Sequence, residues 1–192
     1  MADAQRRSPG RPRSTISHQK MLEATLALLA EVGFEAMSIE AIAARAGVGK
    51  TTIYRRYSSK DELVSDAIES IREGVSIPDT GSLWSDIDAL IKNAAQITLT
   101  PLGRQTVAMI ISSASSNPGF AQTYWEKYLQ PRRQSFAVVI ERAKARGEAS
   151  ETLDPGLVFD TMSGIMLYAL IFPPASESWE VYICRALKLL LK

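Results

Sequence analysis

The sequence holds one cysteine and one histidine in 192 residues. Cys184 has no second thiol to pair with, which excludes an internal disulfide and suits a reducing compartment. It reads as a small core residue. His18, far in sequence from Cys184, cannot build a metal site with it, and no Ser–His–acid set stands out. No metal, no cofactor and no enzymatic activity are therefore expected. His18 is expected to be exposed in the first turn of the first helix. Asp154 and Asp160 read as cap or surface carboxylates. Long apolar runs are also missing: no window reaches the roughly 18 residues that a spanning helix needs. The stretch around Ile165 to Pro174 is interrupted and reads as core. The opening MADAQRRSPGRPRS lacks the apolar segment of a secretory leader. A cytoplasmic protein with no membrane partner is expected. Period-two alternation is absent as well, which argues against sheets.

The charge that is present is unevenly placed. Residues 1–60 carry ten Lys/Arg and five Asp/Glu, and residues 61–192 carry twelve and sixteen, so a front of +5 precedes a back of −4. That division predicts that only the front meets a polyanion. Residues 1–16, rich in Arg, Ser and Pro, read as a disordered basic arm. Within it, Pro9-Gly10-Arg11-Pro12-Arg13 resembles the core of peptides that enter the narrow A·T-rich minor groove, which makes Arg11 and Arg13 candidate contacts. The alternative is a tail that adds only nonspecific attraction.

Helical spacing governs the rest. Met21, Leu22, Leu26, Leu28, Leu29 and Val32 recur on a first helix starting near Ser17 and ending at Gly33. Ser38 caps a short helix, Arg45 to Gly49 breaks it, and Lys50 to Tyr57 forms another. Ser58-Ser59 caps a fourth, which runs to about Ser76 with Asp61 and Glu62 in its first turn. Pro78 to Ser82 marks a junction. Helices are then expected over 82–98, 100–115, 120–146 with a kink at Pro131, 154–172 and 176–191. The expectation is an all-α chain of about nine helices. An N-terminal three-helix helix-turn-helix domain (17–77) precedes a helical bundle (82–192).

Two short helices around Gly47 form the helix-turn-helix, whose second helix enters the major groove of DNA. Lys50, Thr51, Thr52, Tyr54, Arg55 and Arg56 all donate hydrogen bonds and none is acidic. Only Ile53 and Tyr57 read as anchors. Ala44 to Thr51 also matches a loose phosphate-loop pattern. A helix precedes it where a strand is required, so nucleotide hydrolysis is set aside.

An ordered set of residues carries a family resemblance. It runs from Ala27, Gly33 and Phe34 through Ser38-Ile39-Glu40-Ala41-Ile42-Ala43 and Ala46-Gly47-Val48. It continues with Thr52-Ile53-Tyr54-Arg55-Arg56-Tyr57 and Ser59-Lys60-Asp61-Glu62-Leu63. Residues 17–66 thereby resemble the DNA-binding domain of the TetR family of transcriptional repressors. The resemblance implies base-edge contacts from Lys50, Thr51 and Arg55. It implies phosphate contacts from Tyr54 and Lys60, with Thr52, Arg56 and Arg45 as further backbone candidates. Gly49, at the start of the recognition helix, departs from a good helix former and would let the backbone approach DNA.

For residues 82–192 the resemblance implies a homodimer through the last two helices and a small-molecule effector. Leu157, Thr161, Gly164, Ile165 and Tyr168 share one face. Val181, Ile183, Ala186, Leu187, Leu190 and Leu191 share another. Read alone, both faces fit intramolecular core equally well. Trp84, Met109, Tyr124, Trp125, Tyr128, Phe136, Met162, Met166 and Tyr168 are candidates to line an apolar ligand site, and each also fits plain core. The function implied is a repressor released from palindromic double-stranded operator DNA by a hydrophobic ligand. The competing readings are a nonspecific DNA binder and an all-α carrier or enzyme.

Overall fold

A computed structural model describes residues 12–71 and 77–191. Every regular element among them is a helix: α1 (Pro12–Ala36), α2 (Ile39–Ala46), α3 (Lys50–Tyr54), α4 (Lys60–Ser70), α5 (Leu83–Thr98), α6 (Pro101–Ser116), α7 (Pro118–Tyr124), α8 (Gln130–Ala145), α9 (Pro155–Ile171) and α10 (Trp179–Leu190). A π-helical segment, Trp125–Leu129, joins α7 to α8. With that continuous rod counted once, the described residues form nine helices. The chain divides into two compact units, 1–70 and 71–192.

In the first unit, α1 packs on both α2 and α4. Met21, Leu29, Ile42, Ile53, Leu63 and Ile68 are fully buried. Val32, placed on the apolar face by spacing, is instead exposed. α1 begins at Pro12 rather than near Ser17. Proline has no N–H to leave unpaired and suits a first helical turn. Gly33 breaks α1 at φ 78°, ψ 171°, although helical geometry resumes briefly to Ala36. α4 is described to Ser70, and the expected extension over 72–76 lies outside the described residues.

In the second unit the core lies between α5, α8, α9 and α10, with Ile87, Ile91, Val139, Ile140, Ile183 and Leu187 wholly buried. Ser82, Thr100, Asn117, Asp154 and Ser178 each cap the following helix with a side-chain oxygen. α10 therefore starts at Trp179, after Ser178, and not from Ser176. A Cβ at Gly103 would stand 2.0 Å from the Ile97 carbonyl oxygen, so α6 turns back against α5 only because that residue is glycine. Pro131 does not produce a simple kink. The Gln130 N–H bonds the Trp125 carbonyl, a π-type step. The rod absorbs the missing proline donor by lengthening one turn.

The junction at the start of this unit is strapped to α5 and α8. The Thr80 N–H and hydroxyl both donate to Asp86 Oδ1 at 2.7 Å, and Arg142 donates to the Pro78 carbonyl at 3.2 Å. Glu148 accepts the Leu83 N–H at 2.6 Å. Its carboxyl is held below the usual range, first by its hydrogen bond to Arg146 and then by this one.

Candidate nucleic-acid interface

The turn between α2 and α3 follows from local chemistry. Ser38 Oγ accepts the Ala41 N–H at 3.1 Å, starting α2. Gly47 ends it in the left-handed region, φ 67°, ψ 35°, and the Val48 N–H reaches back to the Ala43 carbonyl at 3.0 Å. That is the glycine-closed helix end expected where an L side chain would be strained. Gly49 has φ −74°, and a Cβ there would meet only Thr51 Oγ1 at 3.6 Å. The fold does not require glycine at 49.

α3 is shorter than the spacing predicts. Regular helix stops at Tyr54, and the Arg56 N–H shifts to the Ile53 carbonyl at 2.9 Å, so Arg55 and Arg56 lie in a closing turn. Ile53 and Tyr57 are buried. Lys50, Thr51, Tyr54, Arg55 and Arg56 are exposed and Thr52 is half-buried. Tyr54, at 57% exposure, is an aromatic held outward beside these donors. The two inward side chains fix the helix and leave its donor-rich surface to solvent.

Tyr57 does more than fill space. Its hydroxyl donates to Asp66 of α4 and lies 2.7 Å from His18 Nε2 of α1. With the hydroxyl proton given to Asp66, His18 Nε2–H is the donor to Tyr57. His18 is thus half-buried and bonded across the unit, not a free surface group.

Several expected DNA contacts already have partners. Arg45 grips Glu31 with two hydrogen bonds of 2.5 and 2.6 Å. Arg45 holds the Glu31 carboxyl below its ordinary value, mainly through those bonds. Lys50 Nζ lies 3.1 Å from Glu40 Oε1 of α2. Lys60 Nζ donates to the carbonyls of Phe34 and Met37 at 2.8 and 3.1 Å and sits 4.3 Å from the centre of the Phe34 ring. Two of its three N–H donors are therefore engaged where α1 ends, a role that spacing did not suggest. Arg11 lies outside the described residues, and of Arg13 only the backbone, within α1, is described.

The residues expected to line a ligand site fall in several places. Trp84, Phe136, Met162 and Met166 belong to or pack on the main core of the second unit. Tyr124 stacks between Phe120 and Tyr128 at ring separations of 5.7 and 5.5 Å. Trp125 is 42% exposed, and Met109 is half-buried on α6. Tyr168 is exposed beside Phe172.

Residues 21–67 match the bacterial regulatory proteins of the tetR family, and residues 77–189 match the tetracyclin repressor-like C-terminal domain. The chain is 32% identical over 163 residues to YdeS of Bacillus subtilis (strain 168), an HTH-type transcriptional regulator described as uncharacterized, covering 84% of this chain and 82% of the relative. It is 31% identical over 149 residues to the HTH-type transcriptional regulator AqdR of Rhodococcus erythropolis, covering 77% and 71%. Its fold resembles the crystal structure of the TetR family transcription regulator SCO0332, with a TM-score of 0.70 at 23% identity, covering 91% of this chain and 96% of that one.

Proposed function

Because the chain belongs to the TetR family of helix-turn-helix transcriptional regulators, we propose that it is a cytoplasmic homodimeric repressor, released from a near-palindromic operator by a small hydrophobic effector. The observation that carries this reading is α3 with its closing turn: a segment anchored by Ile53 and Tyr57 that turns Lys50, Thr51, Tyr54 and Arg55 to solvent. Lys50 and Arg55 suit guanine O6 and N7, and the Thr51 methyl suits thymine. Tyr54, Thr52, Arg56 and Arg45 face phosphates, and Lys60 offers them its remaining N–H. The arginines of residues 1–16 add a minor-groove or nonspecific grip.

The second unit supports pairing. Leu157, Gly164, Tyr168 and Ile171 recur at helical spacing on α9, and all are exposed in the single chain. Val181, Leu189 and Leu190 of α10 are exposed as well. Apolar surface of this extent marks an interface, and a two-fold-related pair of α9–α10 would close as a four-helix contact. Ile183 and Leu187, read from spacing as part of the same face, are buried within the unit. An effector would lodge among Trp84, Phe136, Met162 and Met166. The Trp179 Nε1–H, buried with no partner among the described residues, offers such a ligand a donor. An effector that prefers one arrangement of the two reading heads lowers DNA affinity by its differential binding. α4, which comes after α3 and leads in sequence to the second unit, is the lever.

Selection of bound sequences from random DNA by the purified protein at physiological salt tests the reading. An inverted repeat is expected, with half-sites about 34–36 Å apart. Lys50→Ala and Arg55→Ala should each relax preference at one position, whereas Lys60→Ala should weaken binding to all sequences and also lower thermal stability. A profile without any enriched repeat would refute operator recognition.

A further inference from the structure

We infer that Glu40 of α2 is a specificity-determining residue, which together with Lys50 reads one G·C base pair in the major groove. The inference rests on the proposed placement of Lys50 at base edges.

Glu40 and Lys50 come from different helices of the helix-turn-helix, yet Glu40 Oε1 and Lys50 Nζ stand 3.1 Å apart. Both side chains are more than half exposed, 60% and 55%. An exposed ion pair of this kind adds little to folding stability. Although Glu40 also complements the dipole of α2 from its first turn, that role does not require it to face the first donor of a DNA-reading helix. The cost to binding, in contrast, is direct. A fixed anion near DNA repels phosphates and cancels part of the attraction of Lys50. The carboxylate is firmly ionised: its own backbone N–H, then the hydrogen bond and charge of Lys50, hold it below its ordinary value.

Base-edge chemistry resolves the conflict. In the major groove, guanine offers O6 and N7 as acceptors, and its paired cytosine offers the N4 amino group as a donor. Lysine satisfies the first and glutamate the second. Within a Watson–Crick pair, O6 and N4 are themselves joined by an N–H···O hydrogen bond of about 2.9 Å. An ammonium and a carboxylate oxygen held 3.1 Å apart therefore match the donor and acceptor edges of one base pair. A T·A pair in the same orientation also offers O4 and N6, and it is guanine N7, where thymine carries a methyl group, that lets the Lys50 ammonium choose G·C. At any pair lacking an amino group in that place the carboxylate has no donor and opposes binding. Discrimination arises from repulsion as much as from attraction.

The test is selection from random DNA with the full chain, comparing the unmodified protein with Lys50→Ala, Glu40→Ala and Glu40→Gln. The expected repeat contains a G·C pair in each half-site whose preference falls about tenfold, a single-contact effect, in both Lys50→Ala and Glu40→Ala. Other positions stay unchanged. Glu40→Gln should move that position toward A·T, because glutamine addresses adenine N6 and N7. Glu40→Ala should also bind random duplex more tightly than the unmodified protein, which a merely structural role for Glu40 would not produce. An inverted repeat whose profile in both Glu40→Ala and Glu40→Gln stays that of the unmodified protein overturns the role of Glu40 and leaves operator recognition standing. Absence of any repeat with the unmodified protein overturns both.

Discussion

Gly47 and Gly49 flank Val48 in one turn, and only Gly47 needs to be glycine. Gly47 sits at φ 67° with open space where a Cβ would stand, so Gly47→Ala carries a purely conformational penalty. A loss of about 1–2 kcal/mol is expected from urea unfolding, with an unchanged denaturant slope. Gly49→Ala meets no such penalty. A drop in operator affinity for that variant, without loss of stability, would report close backbone approach to DNA. The sequence displays two glycines at a helix break but not which one carries positive φ. Lys60 was opaque for a similar reason. Its assignment to phosphate rests on the family resemblance alone, since Ser58, Ser59, Asp61 and Glu62 surround it in sequence. Its bonds to the Phe34 and Met37 carbonyls depend on where Gly33 turns the end of α1. Ile53 and Tyr57 were legible because they are the two apolar positions in a polar segment.

At the scale of elements, caps were the most readable feature. Ser38, Ser82, Thr100 with Pro101, and Asp154 with Pro155 announce helix starts by their chemistry. The π segment could not be read in this way. Inserting one residue into the rod rotates the helix before it by about 100° against the helix after it. That rotation brings Tyr124 and Phe136 toward one side of the rod, yet twelve residues still set them about 18 Å apart along it. Phe136 joins the main core of the second unit while Tyr124 packs with Phe120 and Tyr128, and Trp125 faces outward. Replacing Pro131 with alanine restores the missing N–H. The variant should revert toward continuous α-helix and gain up to about 3 kcal/mol. Fluorine NMR on labelled tryptophan should then show Trp125 moving while the Trp84 and Trp179 signals stay in place. Three unmoved signals would mean that neighbouring packing, not proline, sets the π step.

For the whole molecule, the proposed dimer makes the sharpest demand. Leu157 and Tyr168 are 63% and 57% exposed in the single chain, so changing them disturbs no internal core. The double variant Leu157→Glu, Tyr168→Glu should weaken self-association roughly 30-fold or more, as loss of a hot spot does, with helical circular dichroism retained. Sedimentation that still gives a dimer at low concentration would place the interface elsewhere. Here the sequence reached its limit on α10, whose apolar side is wide enough to serve two neighbours. Ile183 and Leu187 turn inward while Val181, Leu189 and Leu190 do not. Spacing gives the width of such a face, and only the position of α5 and α9 divides it.

The clasp between Lys60 and the end of α1 has a mechanical consequence. Glycine at 33 leaves a joint that would otherwise give under load, and the ammonium bridges it to the start of α4. The Tyr57 link to His18 and Asp66 adds a second strut between the same two helices. Under the proposed mechanism, force along α4 would therefore turn the first unit as one block, and Lys50, Thr51 and Arg55, keeping their mutual distances, would gain or lose alignment with DNA together.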